Sequence, residues 1–198
     1  DHEYYWLLDA ALAMECRIKQ VRTAMDVYDP SRKVGLVIDE WGTWHPQAKG
    51  DTGLEQQNTM RDALVAALHL NIFIKHADKV VMTNIAQTVN VLQALILTQE
   101  EKMLLTPTYH VYDMYKQHQD STAVRVLVDT PNIVSEGDEC IEVPQVTGAA
   151  SVRDDELFLT LTNNSISDEC EVQLELLGVD IDAAREVKIE QLKSGDAR

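Results

Sequence analysis

Val34-Gly35-Leu36-Val37-Ile38-Asp39-Glu40-Trp41-Gly42 decides how this chain reads. The apolar run over 34–38 predicts a strand covered on both faces, as in parallel sheets. The run then breaks into two carboxylates and an aromatic. Asp39 and Glu40 are expected where the strand leaves the core. A carboxylate at the C-terminal end of a buried parallel strand can act as nucleophile or general acid. The alternative for Glu40 is a cap on the following loop or an ion-pair partner. Alternation along the strand puts Asp39 on the opposite side, where a structural acceptor is expected.

Working outward, residues 3–27 predict a helix. Leu8, Ala11, Leu12, Glu15, Ile18, Val21 and Met25 recur every three or four positions, and Asp29-Pro30 ends the segment. Residues 41–58 are polar, contain Gly42, Pro46, Gly50 and Gly53, and predict a long loop. A second helix is expected over 59–76, apolar almost all round through 66–74. A second buried strand is expected over 79–83. Helix, strand, helix, strand implies a parallel α/β arrangement. Residues 92–97 and 103–105 predict a hairpin across Gln99-Glu100-Glu101, and Pro107 opens a short helix over 108–118.

The pattern changes near Asp120. Short alternating segments over 124–128, 141–143, 148–152, 157–162, 171–177 and 186–192 are spaced like the strands of a β-sandwich. The chain is therefore expected to divide into an α/β part, 1–119, and a β part, 120–198. Two parallel strands leave sheet edges that need more sheet. Residue 1 falls in a predicted first helical turn, so the chain is expected to be a piece of something longer.

The 198 residues are 45% hydrophobic and 25% charged, with a formal net charge of -16. That charge argues against nucleic acid, which needs clustered Lys and Arg. No apolar run approaches the roughly 20 residues needed to span a bilayer, so no membrane partner is expected. No signal peptide is visible, and a cytoplasmic location is expected. Cys16, Cys140 and Cys170 are far apart and odd in number. Free thiols are expected, with no metal site and no cofactor.

Around Glu40, Trp41 and Trp44 offer aromatic faces that could stack on sugar rings, or could pack the loop. His45 is open between substrate contact and loop hydrogen bond. Gln87 and Asn90 follow the second strand and could bond sugar hydroxyls or cap the backbone. His69 and His76 lie on a helix without metal-ligand spacing. Asn163-Asn164-Ser165 fits a glycosylation sequon but reads more simply as a turn.

Asp39-Glu40-Trp41-Gly42-Thr43-Trp44-His45 strongly resembles the nucleophile motif of the α-L-arabinofuranosidases of glycoside hydrolase family 51. The likeness continues through Met60-Arg61-Asp62-Ala63-Leu64, Met82-Thr83-Asn84-Ile85-Ala86-Gln87-Thr88-Val89-Asn90 and Thr106-Pro107-Thr108-Tyr109-His110-Val111-Tyr112. These resemble the seventh helix, the end of the eighth strand and the exit helix of the family's barrel. The resemblance implies the last part of a (β/α)8 TIM barrel followed by a partial jelly-roll β-sandwich. It implies hydrolysis with retention, terminal α-L-arabinofuranosyl residues being released from arabinose-containing polysaccharides or oligosaccharides. By resemblance Glu40 is the nucleophile, Trp44 lines the sugar pocket, and Gln87 bonds the sugar or the nucleophile. It also leaves room for a homo-oligomer.

The family's acid/base is a Glu after an Asn at the end of the fourth strand. This chain contains no Asn-Glu pair. The resemblance therefore implies a fragment that lacks the acid/base residue and is inactive alone. Two other readings stay open: another retaining barrel glycosidase acting on xylosides or glucans, and a non-catalytic β-sandwich interaction module. Phe158 is the only aromatic in residues 120–198, which weakens glycan binding by that region.

Overall fold

The computed structural model describes residues 1–137, 139–178 and 187–195. Helix α1 spans His2–Tyr28 and stops at Asp29, the residue before Pro30. Strand β1 spans Leu36–Trp41, helix α2 spans Met60–Lys75, and strand β2 spans Val80–Ile85. The two strands pair in parallel, as the alternation of helix and strand predicts, and α2 makes the crossover.

The first strand begins and ends later than expected. It includes Asp39, Glu40 and Trp41, because the ladder continues to a Trp41–Ile85 pair. Nor is it covered on both faces. Val34, Val37, Val81 and Met82 are exposed, while Leu36, Ile38 and Val80 pack against the helices. The described helices shield one face of this two-stranded sheet and leave the other open.

Strands β3, Ile96–Gln99, and β4, Lys102–Leu105, form an antiparallel hairpin turning at Glu100 and Glu101. The expected strand over 92–97 starts late. Leu92, Gln93 and Ala94 are instead buried loop residues. Helix α3, Pro107–Tyr115, begins with Thr106 accepting from Tyr109 N–H and Pro107 at the first turn, and a 3-10 turn follows over Lys116–His118.

Beyond residue 120 the chain is sheet-rich. Strands β5, Thr122–Val124, β8, Val146–Arg153, and β9, Glu156–Asn163, form an antiparallel sheet in the order β5-β8-β9. Strands β6, Asn132–Ser135, and β7, Ile141–Pro144, pair separately. The sequence reading missed β6, and its strand over 124–128 begins where β5 ends, at Val124. The expected strands over 171–177 and 187–192 do not form, and residue 186 lies outside the described residues. Their alternating Leu174, Val187 and Ile189 stay exposed. Alternation makes a strand only beside a partner, and none of the described strands pairs with these segments.

The β region sits directly on the helices. Ile141 and Val143 of β7 share a buried cluster with Tyr4, Leu8, Val65 and Leu68 of α1 and α2. Asn71 of α2 donates to Thr162 Oγ1 at 3.1 Å and accepts from Tyr115 Oη at 2.8 Å and Thr160 Oγ1 at 3.1 Å. A buried amide with its bonds made fixes orientation as well as burial.

Candidate active site

The two parallel strands deliver their C-terminal ends to one place. Pairing runs from Ile38–Thr83 to Trp41–Ile85, three steps on β1 against two on β2. That extra residue is a bulge, and bulges re-aim side chains. It breaks the alternation that would have separated the two carboxylates. Asp39 and Glu40 are both exposed, and both line an open concavity of about 260 Å³ with Ile85, Ala86 and Gln87. Neither carboxylate makes a hydrogen bond or ion pair within the described residues. Among the described residues Asp39 therefore has no donor that would make it the structural acceptor alternation suggests.

Ala86 N–H donates to the Trp41 carbonyl at 2.9 Å, tying the end of β2 to the end of β1. The Ala86–Gln87 peptide is cis. Gly42 follows with φ +142°, and a Cβ there would come within 3.3 Å of the Ala86 carbonyl. Glycine lets the two strand ends approach this closely.

The two tryptophans part company. Trp41 is 5% exposed and packs edge-on against His69 and Phe73 and stacked with Tyr112. It belongs to the core. Trp44 is 65% exposed, with Nε1 donating to the Ala48 carbonyl at 2.8 Å. That bond fixes the ring on the loop and leaves its surface open, but Trp44 does not line the concavity that Glu40 and Gln87 share.

Behind the loop lies a buried polar network that the sequence did not announce. His45 Nε2 donates to Asp62 Oδ1 at 2.7 Å, so His45 serves the loop. Thr43 Oγ1 donates to the same oxygen at 2.6 Å, and Asp62 Oδ2 accepts from Thr59 N–H at 2.7 Å. Burial opposes ionisation of Asp62, but the bonds from His45, Thr43 and Thr59 outweigh it and hold its carboxyl below the usual range. Gln93 completes the network from the far side, accepting from Thr43 N–H at 2.8 Å. An Asp three residues after a Thr at a helix start was the available sequence signal for Asp62. Nothing in the sequence marked Gln93.

Other expected candidates resolve to structure. Asn90 Oδ1 accepts from Thr98 N–H at 2.6 Å and its Nδ2 donates to Thr98 Oγ1 at 2.9 Å, which commits it to the hairpin. His69 is buried, and His76 Nε2 lies 3.3 Å from Glu15 Oε1. Asn163 and Ser165 form the expected turn, Ser165 N–H donating to Asn163 Oδ1 at 3.1 Å. Phe158 is covered by the Arg153 guanidinium, 5.2 Å from the ring centre. Among the described residues no cluster of three His, Cys, Asp or Glu could hold a metal, and no helix is long and apolar enough to cross a membrane.

Comparison with known proteins bears on this geometry. Residues 39–198 match the family described as alpha-L-arabinofuranosidase C-terminal domain. The chain is 41% identical over 177 residues to an intracellular exo-alpha-L-arabinofuranosidase of Bacteroides ovatus, covering 88% of this chain and 34% of that protein. It superposes on the family 51 arabinofuranosidase of Xanthomonas axonopodis pv. citri with a TM-score of 0.79 and 45% identity, covering 85% of this chain and 34% of that one. For the arabinose complex of the Thermotoga maritima α-L-arabinofuranosidase the values are 0.69, 27%, 81% and 35%. The chain thus spans about a third of the length of these relatives.

Proposed function

Because this chain belongs to the α-L-arabinofuranosidases of glycoside hydrolase family 51, we propose that it is the C-terminal part of a retaining enzyme releasing terminal α-L-arabinofuranosyl residues. The observation that carries the reading is the meeting of Glu40 and Gln87 at the C-terminal ends of two parallel strands. Catalytic groups of (β/α)8 barrels are mounted at that end.

Residues 1–119 form the closing part of such a barrel, and residues 120–198 part of a β-sandwich. The exposed Val37, Val81 and Met82 face inward once more strands complete the barrel. A retaining glycosidase uses two carboxyl groups about 5–5.5 Å apart. Glu40 is the nucleophile: its carboxylate attacks the anomeric carbon and forms a glycosyl-enzyme, which water then hydrolyses. The acid/base that protonates the departing oxygen lies outside this chain. Gln87 bonds the sugar or the nucleophile, and Trp44 contributes an aromatic wall from the loop. A cytoplasmic location accords with the name of the Bacteroides ovatus relative.

The test is arabinose release from an aryl α-L-arabinofuranoside by the full-length protein. Glu40→Gln abolishes it, and a mechanism-based sugar label attaches to Glu40. Undiminished turnover in that variant, or a label on another residue, overturns the assignment.

A further inference from the structure

We propose that Gln93 is a positioning residue for the glycosidase reaction, setting the main chain that follows the nucleophile; this rests on Glu40 being that nucleophile. Gln93 is 0% exposed, so it touches no substrate. Its side-chain amide nevertheless bridges three elements. Oε1 accepts from Thr43 N–H at 2.8 Å. Nε2 donates to the Asp62 main-chain carbonyl in the first turn of α2 at 2.6 Å, and to Thr108 Oγ1 in the first turn of α3 at 3.2 Å. Both helix starts are held by packing, so Gln93 transmits their position to the loop.

What it holds is the segment between Glu40 and Trp44. A Cβ added at Gly42 would stand 3.4 Å from Gln93 Oε1 and 3.3 Å from the Ala86 carbonyl oxygen, so Gly42 lies close to both. Thr43 has its remaining polar groups occupied as well. Its hydroxyl donates to Asp62 and accepts from Gln56 Nε2 at 3.2 Å, and its carbonyl accepts from Gln56 Nε2 at 3.3 Å. Of these restraints only the bond to Gln93 reaches the Thr43 N–H. Without Gln93 the Trp41 carbonyl stays bonded to Ala86 N–H, but the chain beyond it loses the restraint on Thr43 N–H that sets the main chain between Glu40 and Trp44. A misplacement of about 1 Å at such a site can cost on the order of 100-fold in rate.

The test uses the full-length enzyme with two variants, each measured for kcat, KM and thermal unfolding alongside covalent labelling of the wild type. Gln93→Leu roughly keeps the volume and removes all three bonds. The expected result is a kcat lower by roughly 10- to 100-fold with KM within about threefold, in protein still folded at the assay temperature. Gln93→Glu keeps the acceptor to Thr43 N–H and one of the two donors only while protonated, and burial favours that form. Its kcat relative to wild type is expected to fall as pH rises, while thermal unfolding shows it still folded. A folded Gln93→Leu with kcat within about twofold of wild type overturns the proposal. If Gln93→Leu does not fold, a pH-independent kcat ratio for Gln93→Glu overturns it instead. A label on a residue other than Glu40 overturns the nucleophile assignment and this proposal together. A label on Glu40 with undisturbed kcat overturns this proposal alone.

Discussion

The Asp62 carboxylate receives the His45 imidazole at 2.7 Å, and that bond joins the first turn of α2 to the loop following Glu40. It makes His45 a fastener of the loop. Arg61 also approaches His45 Nε2, at 3.3 Å, but a nitrogen donating to Asp62 has no lone pair to accept with.

Asp62→Ala leaves the His45, Thr43 and Thr59 donors facing a void. Leaving a buried donor unpaired costs about 1–3 kcal/mol. The expected outcome is a lowered thermal midpoint in the full-length protein. Because the folded-state pKa is depressed, the contribution of Asp62 is full above the ordinary value of about 3.9 and is lost as pH falls through the folded value. The destabilisation by Asp62→Ala should therefore shrink below about pH 4.

Glu15 of α1 binds Lys75 of α2 at 2.8 Å and Lys19 at 2.9 Å. Burial pulls its pKa up, but the bonds to Lys75, Lys19 and His76 win and bring it down to about 2. Glu15→Gln is expected to cost about 1 kcal/mol after allowance for solvent screening. That cost is present above about pH 4.5 and disappears as pH falls toward 2. Thermal unfolding of wild type and variant across that window checks it.

His69 packs between Trp41 and Phe73, and burial pushes its pKa down to about 4, with the Ala11 backbone opposing the shift and the Arg17 charge adding to it. The core holds the neutral ring. Its contribution is full above about pH 6.5 and is lost as pH falls toward 4, up to roughly 3 kcal/mol. His69→Leu is expected to remove that part of the acid sensitivity, read as a smaller drop in thermal midpoint between pH 7 and pH 5.

Gly148 sits in β8 opposite Leu161 of β9. A Cβ there would lie 2.7 Å from the Thr160 carbonyl oxygen and 2.8 Å from Leu161 Cδ2. The backbone contact has little room to yield. Gly148→Ala is expected to destabilise by about 1–3 kcal/mol, as overpacking does. A thermal midpoint unchanged from wild type would refute this account of the strand pair.

Trp44→Ala is expected to leave stability nearly unchanged, within about 0.5 kcal/mol, because the ring is mostly exposed. On an arabinofuranoside the same change should raise KM. Unaltered kinetics would remove Trp44 from the sugar site.

Much of the α/β part is legible in the sequence because its signals are local. The three-and-four spacing of Leu8, Ala11 and Ile18, the stop at Asp29-Pro30, and the apolar band of α2 each specify an element within one window. Strand ends were less legible. Where β1 stops depends on whether Trp41 finds Ile85 across the ladder, a partner 44 residues away. The C-terminal segments failed for the same reason: alternation at Leu174 or Ile189 says which face is apolar, and says nothing about whether a strand lies beside it.

By itself the sequence determined the order of elements, the parallel α/β unit and, through Asp39-Glu40-Trp41-Gly42, the family to which the chain belongs. Only the tertiary structure decided which of these residues share a site. A one-residue bulge put Asp39 beside Glu40, and packing sent Trp41 inward while Trp44 stayed outside. Asp62 and Gln93, 31 positions apart, meet behind the loop that both restrain. The physical reason is one of range. Helix and strand propensities act between near neighbours, whereas the position of a carboxylate depends on ladder pairs and buried hydrogen bonds that exist only after distant segments have met.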